Sequence, residues 1–157
     1  MSIAERWKKF RDLPPDIQEA LGRLPSLFER EGVLLAYLFG SLSRGQAGQD
    51  VDLAILVRDA PAFRLREAIA DCLGTQRVDL VDLRRASPVL RFEILRTGHP
   101  IYVADEETQE RFEMATLHLY RDTHPLRRQQ MAYLKRRMAH RALRSSDCDR
   151  LSTRSGI

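Results

Sequence analysis

The chain carries the loop Gly40-Ser41-Leu42-Ser43-Arg44-Gly45 and, shortly after it, Asp50-Val51-Asp52 at the head of the apolar run Leu53-Ala54-Ile55-Leu56-Val57. Side chains two apart on a strand point the same way, so Asp50 and Asp52 share a face and can hold a divalent cation between them. Oxygen-only ligands suit magnesium, which takes a few carboxylates together with substrate phosphates. In the loop, Gly40 and Gly45 allow close backbone approach to a ligand. The N–H groups of such a turn favour an anion. A phosphate loop, a metal and a nucleoside triphosphate form one coherent set.

Strands must position these groups. Val33 to Phe39 reads as a buried strand that feeds the loop, and Val51 to Val57 as a second. Val78 to Leu83 reads as a third and brings two more acids, Asp79 and Asp82. Their odd separation puts them on opposite faces, so only one can join Asp50 and Asp52. Three convergent carboxylates would hold two metals about 3.5–4 Å apart, the arrangement that serves in-line displacement at phosphorus.

The pattern G-S-x-x-R-G, a short gap, D-x-D-L-A-I and a later V-D-L-V-D-L resembles the minimal nucleotidyltransferases (MNT) of the DNA polymerase beta-like superfamily. The resemblance implies that Gly40, Ser41 and Arg44 bind the triphosphate of ATP. It implies likewise that Asp50, Asp52 and Asp79 are the catalytic acids and hold magnesium, two ions in all. Asp79 is preferred to Asp82 because the first acid of the third strand fills this place in the family. The segment Leu119-Tyr120-Arg121-Asp122-Thr123-His124-Pro125-Leu126 resembles one near the C-terminus of MNT antitoxins, so the likeness covers roughly residues 33 to 130. Gln49 stands where the family has Ser, which puts in question a contact outside the metal ligands. The implied function is a protein adenylyltransferase antitoxin that transfers AMP to a tyrosine hydroxyl of a cognate HEPN ribonuclease toxin. The alternatives are a nucleotidyltransferase acting on a small hydroxylated antibiotic and an antitoxin that acts by binding alone.

The expected fold is α+β: a small mixed sheet with helices packed on one side, followed by a helical C-terminal extension. Residues 1–32 form an N-terminal helical segment, 33–104 the nucleotidyltransferase core, 105–144 the C-terminal helices, and 145–157 a flexible tail. Asp59 is expected to cap a helix with Pro61 in its first turn and Leu65, Ile69, Cys72 and Leu73 as its buried stripe. Ser87-Pro88 reads as a cap and first-turn pair. Pro100 to Val103 reads as a short edge strand, and Pro125 as a break in the final helices.

At 157 residues and 43% hydrophobic content the chain supports one domain with a modest core. No apolar run approaches the ~20 residues of a membrane span. Met1 to Phe10 lacks the apolar stretch of a signal peptide, and two cysteines, Cys72 and Cys148, point to a reducing cytoplasm. The four histidines show no zinc spacing. Arg111, His118 and Tyr120 fit a loose HEPN-ribonuclease pattern, in a segment too short for that separate domain.

Between Arg121 and Arg144 eight basic residues face a single acid, Asp122. This stripe is open to three readings: phosphate contact with nucleic acid, a solvated face with Met131, Leu134, Met138 and Ala142 packing at helical spacing, or docking on an acidic protein. A basic stripe alone is a weak nucleic-acid footprint, and that reading is not favoured.

Overall fold

The computed structural model describes residues 13–46 and 49–152, the last thirteen of these by backbone only. The signal-peptide expectation for Met1 to Phe10, and the tail beyond Ser152, lie outside the described residues. Two compact units divide at Leu117 and His118.

In the first unit, α1 (Ile17–Leu21) and α2 (Leu24–Arg30) lead into β1 (Val33–Phe39). A four-residue helix, α3 (Gly40–Ser43), follows at once, and β2 (Val51–Val57) returns antiparallel to β1. A 3₁₀ turn (Ala62–Leu65) and α4 (Arg66–Leu73) then cross to β3 (Val78–Asp82), parallel to β2. Next come α5 (Pro88–Thr97), β4 (His99–Val103), which pairs antiparallel with β1, and α6 (Glu106–Asp122). The strand order is β3-β2-β1-β4, a mixed four-stranded sheet.

Alternation along the strands sorts the two faces. Ala36, Leu38, Leu53 and Ile55 pack with Leu24 and Phe28 of α2 and Ile69 and Leu73 of α4 in the main core. Each such fully buried large side chain contributes about 1.5–3 kcal/mol. The opposite face gathers Leu35, Tyr37 and Ala54 around Ile94 of α5, with Phe112 of α6 against them. The principal helical layer therefore lies on one side, as expected, and α5 and α6 give the other side a smaller cover.

Ser87 caps α5, accepting the Leu90 amide at 3.2 Å, with Pro88 in the first turn. The helix expected from Asp59 starts later: Pro61 is extended, and α4 proper begins at Arg66. The cause lies in distant sequence. The Arg84 guanidinium donates to the carbonyls of Ala60 (2.6 Å) and Arg58 (3.3 Å), which a helix here would need for its own amides. In α4, Ile69 and Leu73 are buried as the stripe requires, and Cys72 is half-buried.

In the second unit, α7 (His124–Ser152) follows a break at Thr123, just before Pro125. Pro125 has no N–H to donate to the Arg121 carbonyl and its ring would clash there, and the Thr123 hydroxyl donates to the Leu119 carbonyl at 2.9 Å. Arg127 closes the corner by stacking 4.0 Å above the Tyr120 ring and donating to its carbonyl at 2.8 Å. Helix α7 continues through Ser152. Met131, Leu134 and Met138 are all exposed, where packing was expected, so the basic helix presents a solvated apolar stripe.

Candidate active site

The site lies where β1 ends and β2 and β3 begin. Phe39 pairs with Asp52, and Asp52 with Asp79, in adjacent registers. Asp52 alternates with Ala54 and Leu56, and Asp79 with Val81, so both carboxylates stand on the face covered by α5. Parallel pairing of β2 with β3 thus sets two acids directly opposite each other. Like charges so placed repel. Partial burial, followed by the charges of Asp79 and then Asp50, pushes the Asp52 carboxyl above the usual carboxylate range.

Gly40 explains why the loop begins with glycine. Its φ of +75° is left-handed, and a Cβ there would stand 2.0 Å from Asp52 Oδ2. Backbone and carboxylate can approach this closely only without a side chain at residue 40. Ser41 is half-buried in α3, and its carbonyl accepts the amides of Arg44 (3.1 Å) and Gln46 (3.2 Å), which closes the turn. Arg44 is exposed beyond it.

Ser43, given no role by sequence reasoning, ties the loop down. Its hydroxyl donates to the Gly40 carbonyl at 2.9 Å, and its own carbonyl is 3.0 Å from His99 Nε2 on β4. Gly98 lets β4 come this close, since a Cβ there would lie 2.6 Å from the Ile94 carbonyl and 3.0 Å from that of Leu38.

Asp50 is held differently. Arg77 donates from Nε to Asp50 Oδ1 at 3.0 Å, and from Nη2 to Gln49 at 3.4 Å. Gln49, where the family pattern has Ser, therefore has a contact of its own. Asp82 lies opposite Ile55 and accepts the Arg84 amide at 2.9 Å, so it caps the turn after β3.

Among the described residues no three carboxylate, imidazole or thiolate groups form a ready-made metal cage, Asp50 being turned toward Arg77. The donor set nonetheless fits a hard divalent cation. It is all carboxylate oxygen, none of the three acids is fully buried, and Asp52 and Asp79 face each other with like charge. Ionised, the three acids exceed Arg77 by two charges.

Residues 23–107, which include every one of these groups, match the family described as polymerase beta, nucleotidyltransferase. The chain belongs to this family. Among relatives of this nucleotidyltransferase, the protein adenylyltransferase MntA of Shewanella oneidensis is 35% identical over 92 residues, 55% of this chain. The match spans 65% of MntA, just under two thirds of its length. A solved toxin–antitoxin structure with AMP-PNP superposes with a TM-score of 0.62 at 28% identity, over 75% of this chain and 98% of the other. A chain from the complex of a tri-AMPylated Shewanella oneidensis HEPN toxin with MNT antitoxin gives 0.60 at 28% identity, over 78% and 98%. Among the described residues no helix is long and apolar enough to cross a membrane.

Proposed function

We infer that the protein is an antitoxin that transfers AMP from magnesium-ATP to a tyrosine hydroxyl of a cognate HEPN toxin in the cytoplasm. The observation that carries this reading is the Asp52–Asp79 pairing with the Gly40 backbone against it. Similarity to MntA and to toxin–antitoxin complexes supports the choice of donor and acceptor.

In this reading the Gly40-Ser41 turn and Arg44 hold the β- and γ-phosphates. Asp50, Asp52 and Asp79 hold two magnesium ions. When bound, these offset the charge on the attacking and leaving oxygens. The tyrosine oxygen attacks the α-phosphorus, a new O–P bond forms, and the bond to the β-phosphate breaks with release of pyrophosphate. Asp79, the most open of the three acids, takes part in removing the hydroxyl proton.

The test is incubation with α-labelled ATP, magnesium and a candidate HEPN toxin, the product of the neighbouring gene being tried first, read by intact mass. A gain of one or more adenylyl units on the toxin, absent with Asp52→Ala, is expected. A stable complex without mass gain would refute catalysis and leave neutralisation by binding.

A further inference from the structure

Three acids and one base form a square on the sheet surface. The Val51 amide donates to the Arg77 carbonyl at 2.8 Å, which extends the β2–β3 ladder one step before Val78. Asp50 thus stands opposite Arg77 as Asp52 stands opposite Asp79, one attractive pair beside one repulsive pair. The Arg77 side chain is only 16% exposed, against 49% for Asp50, so the cation is the anchored partner and the carboxylate the free one. Arg77 also reaches Gln49 and so fixes the point where the loop re-enters the sheet.

We propose that Arg77 is a positioning residue that competes with the divalent cation for Asp50, so that the nucleotide-free protein engages metal through Asp52 and Asp79 alone. The square carries a net charge of −2 with all acids ionised, which a single divalent ion balances. Asp50 becomes a ligand when a second cation arrives with the triphosphate and outbids one guanidinium. Arg77 thereby couples loading of the site to arrival of the nucleotide and keeps the protein's intrinsic metal affinity low. This rests on the metal-binding reading of the three acids.

The experiment is a titration of the purified full chain with Mn2+, following free ion by electron paramagnetic resonance, with and without a non-hydrolysable ATP analogue. Arg77→Gln removes the competing charge, and Arg77→Lys keeps it. Nucleotide-free Arg77→Gln is expected to bind Mn2+ about three- to tenfold more tightly than wild type, since loss of a nearby like charge favours the cation. Arg77→Lys is expected to stay near the wild-type value. Circular dichroism establishes that each variant is folded, and should Arg77→Gln fail to fold, Arg77→Met serves in its place. A purely structural role would weaken metal binding or leave it unchanged, and either result in a folded, uncharged variant overturns the proposal. If wild type takes up no Mn2+ beyond what the nucleotide analogue alone removes from solution, the metal-site reading itself falls, and this proposal with it.

Discussion

Gly40→Ala probes the contact on which the site is built. A Cβ at residue 40 would lie 2.0 Å from Asp52 Oδ2 and 2.8 Å from its Cγ, at a φ of +75°. The left-handed conformation costs about 1–2 kcal/mol for a residue with a Cβ, and driving the Asp52 side chain off its rotamer about 1 kcal/mol more. Together these come to about 2–3 kcal/mol, or roughly 4–12 °C in melting temperature for a chain of this size. The functional effect should be larger, because displacing a reacting group by about 1 Å can cost on the order of a hundredfold in rate. A double-mutant cycle separates the causes. With Asp52→Ala the nearest surviving atom is Cβ at 3.2 Å, so adding Gly40→Ala should cost only the ~1–2 kcal/mol of backbone conformation. The cycle is measured by denaturant melts of the four proteins, with transfer of label from ATP followed in the two that keep Asp52. Additive destabilisation together with wild-type transfer by Gly40→Ala would refute the reasoning.

The raised Asp52 carboxyl has a consequence for pH. A carboxyl raised on folding adds stability below its unfolded pKa and loses that contribution as pH rises through the folded value. Asp52→Asn should therefore melt at or above wild type at pH 7 in chelator-treated buffer, with the difference shrinking on acidification; a variant clearly less stable at pH 7 would contradict this. Gly98→Ala sets a Cβ against two carbonyls and Phe39 Cβ, at 2.6, 3.0 and 3.3 Å, and overpacking of this kind costs about 1–3 kcal/mol. Calorimetry should show a lower melting temperature, and an unshifted transition would mean that β4 yields freely.

What the sequence showed depended on how local the cause was. β1 and β2 match the expected bounds because each is an apolar run, broken in β2 only by Asp52, closed by polar or glycine residues at both ends. β3 stops one residue short of Leu83 because Asp82 turns its carboxylate to the Arg84 amide. The late start of α4 was beyond local reasoning, since the group that claims the carbonyls of Arg58 and Ala60 lies at Arg84. Parity along the strands separated Asp79 from Asp82. The pairing of Asp50 with Arg77 needed the register of two strands whose partners lie 27 residues apart in the chain. A clue was present in Arg77-Val78-Asp79, which repeats the spacing of Asp50-Val51-Asp52 with one sign reversed.

Strand order carries one more consequence. Among the described residues β3 pairs only with β2, which leaves a row of amides and carbonyls on its outer side. Val78, Leu80 and Val81 make that strand a template for another chain to add to, and it is Asp79, exposed, and Asp82 that break its apolar character. Asp79 is thus a gatekeeper against aggregation as well as a candidate for chemistry. A descendant that lost the chemistry would still have reason to keep an acid at residue 79. It would have little reason to keep one at residue 52, where the charge is partly buried and repelled by its neighbours. Of the two, Asp52 is the better mark of an active chain.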